Sequence, residues 1–80
     1  MKERIAKYIA EEILKDTGRK VTYDEALIST GLIDSFSLVD LALFVEDSFN
    51  VRIDDAELTS EVFDNIDELA KIIAARQAKA

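Results

Sequence analysis

Near the amino terminus, apolar residues recur at the spacing of a helix. Ile5, Ile9 and Ile13 follow one another at intervals of four, and most of the residues between them are charged or small. This periodicity places the isoleucines on one face of an amphipathic helix. The pattern predicts a first helix over residues 2–16, and Gly18 is expected to adopt the left-handed conformation that ends it.

A long connection occupies residues 19–34 and is too apolar to be a solvated linker. A segment of this content is expected to lie across the helices and to close part of their core. Gly31 permits a bend just before the next helix. The apolar residues of the connection are Val21, Tyr23, Leu27, Ile28, Leu32 and Ile33.

The second predicted helix has Asp34 as its N-cap, because an Asp side chain can accept hydrogen bonds from the free N–H groups of a first helical turn. A mainly apolar run then extends to about Ser48. With 3.6 residues per turn, one side of this helix faces the core. The predicted core residues on that side are Leu38, Leu41, Ala42, Val45 and Phe49.

The same helix carries apolar residues that point away from this core face. Phe36, Val39 and Leu43 fall on the opposite side, where their neighbours are acidic. Two interpretations are open: the long connection covers these side chains, or they form a docking patch in which apolar anchors are ringed by charge. The acidic residues of this outer face are Asp40, Glu46 and Asp47.

After Asn50, the sequence predicts an extended connector over 51–53, one short helix within 54–58 and a last helix that begins after Asp64 or Asn65 and extends to about Ala78. There is no internal repeat and no strand signal. We therefore predict an all-α fold in which residues 1–80 form a single domain. It is a small bundle of three longer helices plus one short helix, with a long first loop.

The composition argues against most enzyme classes. The chain has 80 residues, a net charge of −7 and neither Cys nor His, so it lacks a thiolate nucleophile, the usual general base and the commonest zinc ligands. Neither the spacing of an EF-hand nor a glycine-rich phosphate loop is present. We expect a non-catalytic protein without catalytic residues and without a dedicated metal site.

Negative charge is concentrated in the middle of the chain. Between Val21 and Glu68 there are thirteen acidic residues and a single basic one, Arg52. Such a field repels nucleic acid and anionic lipid, and it attracts basic protein surfaces. The chain also has no unbroken apolar stretch typical of a signal peptide or a membrane span. We expect a cytoplasmic monomer with protein partners, no nucleic-acid binding and no membrane insertion.

One hydroxyl group has an unusual position. Ser35 directly follows the predicted N-cap, in a first turn where free N–H groups and the helix dipole favour a negative phosphoryl group. From position alone, Ser35 is either an attachment point for a phosphate ester or an ordinary first-turn residue.

The segment 30–41 resembles the prosthetic-group attachment motif of acyl carrier proteins and of the related peptidyl and D-alanyl carrier proteins. The shared pattern is Asp-Ser, a large apolar residue, two variable positions and an aliphatic-acid-Leu triplet. The order of helices and connectors over nearly the whole chain is also similar. The resemblance implies an acyl carrier domain in which Ser35 carries covalent 4′-phosphopantetheine, donated by coenzyme A through a phosphopantetheinyl transferase (holo-carrier synthase).

The resemblance also implies a function and the roles of further residues. Asp34 matches the motif acid before the attachment serine, and Phe36 matches the large apolar residue after it. The carrier would hold acyl groups as thioesters in a specialised fatty-acid, polyketide or lipid pathway. Its partners would be activating enzymes, synthases and acyltransferases with basic docking patches. The implied partner-binding positions are Phe36, Val39, Asp40, Leu43, Glu46 and Asp47.

Some features differ from those of housekeeping fatty-acid carriers. Such carriers usually have an acid and then a small polar residue two and three places after the serine, where this chain has Ser37 and Leu38. The segments 56–59 and 63–66 are as similar to aminoacyl or D-alanyl carriers as to fatty-acid carriers. An aminoacyl (peptidyl or D-alanyl) carrier is therefore an alternative. An alternative of another class is a cofactor-free acidic protein-interaction module.

Overall fold

The computed structural model describes residues 1–79, and the side chains of residues 1–78. Over this range all regular structure is helical, which confirms the predicted all-α class. No helix in the described part of the chain is long and apolar enough to span a bilayer. The elements are α1 (Lys2–Tyr8), a π-helical segment (Ile9–Ile13) that continues it, α2 (Ser35–Phe49) and α3 (Ile66–Lys79).

The predicted short fourth helix is only a 3₁₀ turn over Asp55–Glu57. The N–H of Asp54 donates to the Glu57 carboxylate at 3.1 Å, which closes the turn. The turn stops there because Leu58 already leaves the helical region, with ψ at 57°. Over residues 1–79 the bundle therefore consists of three longer helices without a fourth.

The first helix ends differently from the prediction. Its last turn widens, so the N–H of Leu14 donates to the carbonyl of Ile9 at 2.8 Å. Lys15 then adopts the left-handed conformation, with φ at 55°. The prediction that Gly18 ends the helix was wrong, because the π-helical turn brings the helix to its end before Gly18. Gly18 lies in the following turn, where its N–H donates to the Asp16 carboxylate at 3.1 Å.

The long connection contributes to the core, as predicted. Val21, Leu27 and Ile33 are buried, and Gly31 makes the expected bend with φ at 75°. The connection is tied to the region before α3, because the N–H of Leu27 donates to the carbonyl of Asp64 at 2.7 Å.

Apolar side chains from all three helices meet in one core beneath this connection. On α2 the predicted core face is largely confirmed, since Leu38, Leu41 and Val45 are buried whereas Ala42 and Phe49 are half-buried. The other buried members of the core come from α1 and its π-helical continuation, from the connector before the 3₁₀ turn, from Phe63 and from α3. They are Ile5, Ile9, Ala10, Val51, Ile53, Phe63, Ile66, Leu69 and Ile73.

Aromatic packing joins the first helix to α2. The ring of Tyr8 stacks on that of Phe44, with ring centroids 4.2 Å apart, and its hydroxyl donates to the carbonyl of Asp40 at 3.3 Å. Burial, followed by the nearby charge of Asp40, raises the pKa of Tyr8.

Candidate functional site

Ser35 is the first residue of α2, and it is exposed. The helix begins here because Asp34 has extended backbone angles and its Oδ1 accepts a hydrogen bond from the N–H of Ser37 at 2.8 Å. The N–H of Leu38 donates to the carbonyl of Asp34 at 3.0 Å, which forms the first helical hydrogen bond. The predicted N-cap is therefore confirmed, and the Ser35 hydroxyl is accessible at the helix terminus.

The carboxylate of Asp34 is held in its ionised form. Hydrogen bonds from Ser37, chiefly from its backbone N–H, lower the pKa of Asp34 below its usual range, and the N–H of Phe36 adds to this effect. The start of α2 thus places an anionic cap and a hydroxyl on consecutive residues. A phosphoryl group on Ser35 would be close to the N–H groups of the first turn and to the positive end of the helix dipole.

The outer face of α2 is uncovered. Phe36 is 84% exposed, Leu43 54% and Val39 43%, so the long connection does not cover these side chains. This result excludes the first of the two interpretations that the sequence left open. The three residues are spaced at three and four along the helix and therefore form one strip.

Acidic side chains surround this apolar strip. Asp40, Glu46 and Asp47 are all exposed, and α2 contains no basic residue. Each acid lies three or four residues from an apolar member of the strip, and neighbours at this spacing share a face. The outer face of α2 can therefore offer apolar contacts together with negative charge to a basic surface.

All the sequence-predicted site residues are placed on one stretch of structure. Asp34 and Ser35 form the terminus of α2, and the other predicted positions follow along its outer face. No cluster of three or more carboxylates suited to a metal ion occurs in the described part of the chain. The site is thus an exposed surface rather than a cleft, and it has room for a flexible group attached to the Ser35 hydroxyl.

A polar contact between Asp64 and the connection before α2 was not predicted from the sequence. The sequence left Asp64 and Asn65 as alternative caps of the last helix, and the structure gives them different roles. Asn65 is the cap, since its Oδ1 accepts from the N–H of Glu68 at 2.8 Å. Asp64 instead accepts hydrogen bonds from the connection before α2, at Ile28 and Ser29. The sequence signal for this contact is that two consecutive side chains, Asp64 and Asn65, can both accept hydrogen bonds.

The hydrogen bonds to Asp64 also change its ionisation. The Ser29 hydroxyl, followed by the Ser29 N–H, lowers the pKa of Asp64 below its usual range. The Asp64 carboxylate is therefore ionised at neutral pH. It accepts three hydrogen bonds from one turn.

Comparisons of the chain with protein-family models, with curated proteins and with solved structures found no match.

Proposed function

We propose that this protein is an acyl carrier protein whose Ser35 carries 4′-phosphopantetheine. The observation that carries the proposal is the exposed Ser35 hydroxyl at the first position of α2, directly after its Asp34 cap and next to an uncovered apolar and acidic helix face. The segment 30–41 also resembles the attachment motif of carrier proteins, and this resemblance implies that the group on the serine is 4′-phosphopantetheine.

The attachment step requires only a nucleophilic oxygen from this chain. Ser35 Oγ forms a bond to the phosphorus adjacent to pantetheine in coenzyme A. The bond from that phosphorus to the adenosine bisphosphate half breaks, and 3′,5′-adenosine bisphosphate leaves. The hydroxyl proton passes to a general base in the complex with the phosphopantetheinyl transferase. When bound, the group supplies a terminal thiol on which acyl groups can be held as thioesters.

The chain's own residues would orient the modified serine and present it to partners. Asp34 fixes the first turn of α2 by its hydrogen bond to the N–H of Ser37. Phe36, the most exposed large apolar residue in the described chain, directly follows Ser35 in sequence and can enter an apolar pocket of a partner. The acidic rim would steer encounters with activating enzymes, synthases or acyltransferases that carry basic patches.

An aminoacyl (peptidyl or D-alanyl) carrier is the alternative within the same chemistry. It is kept because Ser37 and Leu38 stand where housekeeping fatty-acid carriers usually have an acid and a small polar residue. Acyl-activating and aminoacyl-activating enzymes, each offered the modified protein, would separate the two. If only aminoacyl groups are transferred to the modified protein, the aminoacyl carrier is the correct function and the acyl carrier is not.

A fluorescent coenzyme A conjugate tests the attachment site. A transferase of broad specificity should label the wild-type protein and fail to label Ser35→Ala, in which Asp34 still caps the helix. Ser37→Ala is the matched control, since it removes a neighbouring hydroxyl and keeps the backbone N–H that Asp34 binds. Equal labelling of wild type and Ser35→Ala would contradict the assignment of Ser35. No labelling of any variant would favour a cofactor-free acidic interaction module.

A further inference from the structure

Hydrogen bonds connect the region before α3 to the turn that precedes α2. The Oδ1 atom of Asp64 accepts from the N–H groups of Ile28 at 2.7 Å and Ser29 at 2.9 Å, and its Oδ2 atom accepts from the Ser29 hydroxyl. The carbonyl of Asp64 accepts from the N–H of Leu27 at 2.7 Å. One residue thus receives four hydrogen bonds from three consecutive residues of the connection.

The turn held in this way leads directly to the attachment serine. The carbonyl of Leu27 accepts from the N–H of Ile33 at 3.0 Å, and the carbonyl of Ile28 accepts from the N–H of Gly31 at 3.0 Å. Ile33 is buried and is followed immediately by Asp34 and Ser35. Residues 27–33 therefore form a closed turn whose end determines where α2 begins.

Asp64 is itself held in place by the start of α3. Its N–H donates to the Glu68 carboxylate at 2.8 Å. Phe63, on its other side, is buried in the core. The acceptor is therefore fixed to the helical bundle, and the turn 27–33 is the part that it holds.

We propose that Asp64 is a positioning residue for the modification of Ser35. By fixing the turn 27–33, it fixes the point from which α2 presents Ser35 and Phe36 to the transferase. This inference rests on the proposed carrier function. Without the carboxylate, the half-buried N–H of Ile28, the exposed N–H of Ser29 and the Ser29 hydroxyl lose their acceptor. The turn then samples more conformations and the competent one is less populated.

The chain offers a graded set of variants for a test. Asp64→Ala removes the side-chain acceptor. Asp64→Asn keeps Oδ1 for both backbone N–H groups, and its amide group can donate to the Ser29 hydroxyl. Ser29→Ala removes only the hydroxyl contact. Asn65→Ala is the matched control, because it weakens the cap of α3 and leaves every hydrogen bond between Asp64 and the turn intact.

Two readouts are needed: kcat/KM for phosphopantetheine transfer from coenzyme A by one purified transferase, and hydrogen exchange of individual amides. Asp64→Ala should accelerate exchange at Ile28, Ser29 and Ile33 and lower kcat/KM about fivefold, in proportion to the loss of the competent conformation. Asp64→Asn should restore kcat/KM to within about twofold of wild type. Asn65→Ala should lower the urea midpoint and leave kcat/KM within the same range.

Different results would contradict the positioning role of Asp64 and the proposed carrier function. A folded Asp64→Ala protein that is modified at the wild-type rate would overturn the positioning role, and so would an equal loss of kcat/KM in Asn65→Ala. If Asp64→Ala does not fold, Ser29→Ala decides: faster exchange at Ser29 with a smaller loss of kcat/KM supports the role, and no change in either overturns it. If wild-type protein is not modified while a control carrier is, the proposed function itself fails together with the role.

Discussion

Backbone conformation at single residues explains where the first helix stops. Lys15 has φ at 55°, in a region that costs a residue with a Cβ about 1–2 kcal/mol relative to glycine. Gly18, only three residues later, is not among the residues with positive φ. The glycine and the left-handed position therefore do not coincide in this chain.

We expect Lys15→Gly to stabilise the protein by about 1 kcal/mol, because glycine adopts the left-handed conformation without a steric cost. Chemical denaturation with urea, followed by circular dichroism, measures this difference. Gly18→Ala serves as the control and should change stability little, since the nearest atom to the added Cβ would be an Asp16 carboxylate oxygen at 3.6 Å. Destabilisation by Lys15→Gly would contradict the left-handed assignment.

At the level of helices, local spacing predicted much of the fold. The cap at Asp34 follows from its residue type, and the buried side of α2 follows from which residues are three or four positions apart. Whether the outer face of α2 is covered did not follow, because that depends on where the long connection lies. The widened last turn at Ile9–Ile13 did not follow, because an α-helix and a π-helix present nearly the same apolar spacing over one turn. The role of Asp64 could not be predicted, since its partner Ile28 lies 36 residues away in sequence.

The two faces of α2 should respond differently to substitution. Leu41 is 1% exposed, so Leu41→Ala should destabilise the protein by about 2–5 kcal/mol through lost burial and a cavity. Leu43→Ala, two positions away on the outer face, should change the free energy of unfolding by less than about 1 kcal/mol. Urea denaturation of both variants provides the comparison. Similar losses in both would mean that the outer face is covered.

The 3₁₀ turn is fastened to α3 by a pair of charged side chains. Arg76 donates to the Glu57 carboxylate and to the carbonyl of Arg52, the latter at 2.9 Å. The hydrogen bond from Arg76, followed by that from the N–H of Asp54, lowers the pKa of Glu57 below its usual range. Because the folded pKa is the lower one, this link stabilises the fold above the pKa of an unfolded Glu. Its contribution is lost as the pH falls through the folded pKa.

We therefore expect the urea midpoint of the wild-type protein to decrease as the pH falls below about 4. Glu57→Gln should show a smaller decrease, because this variant lacks the stabilising contribution of the ionised Glu57 carboxylate already at neutral pH. A residual decrease should remain in this variant, since the pKa values of Asp34 and Asp64 are also lowered. Identical pH profiles for Glu57→Gln and wild type would contradict the stabilising role of the Glu57–Arg76 pair.

At the scale of the whole molecule, the outer face of α2 is a negatively charged part of the surface. Several basic residues outside α2 are engaged with acids of their own, as in Lys2 with Asp67 at 2.7 Å and Arg19 with Glu25. The exposed acids of α2 therefore contribute to a negative surface around its apolar strip. Long-range attraction of this kind weakens as salt is added.

If the outer face of α2 meets a basic transferase, Asp40→Lys should raise the KM for the protein substrate, and this increase should shrink at high salt. Glu3→Lys changes the net charge equally at an exposed position on α1 and is the matched control. Steady-state kinetics at two salt concentrations measure both. Equal increases in KM for the two variants would show that net charge, not the outer face of α2, governs recognition.

The decisive measurement is the intact mass of the purified protein before and after incubation with coenzyme A, magnesium and a broad-specificity phosphopantetheinyl transferase, with Ser35→Ala treated in parallel. We expect the wild-type protein to gain the mass of one phosphopantetheine group and Ser35→Ala to gain nothing. An unchanged wild-type mass, under conditions that fully modify a control carrier, would contradict the carrier function.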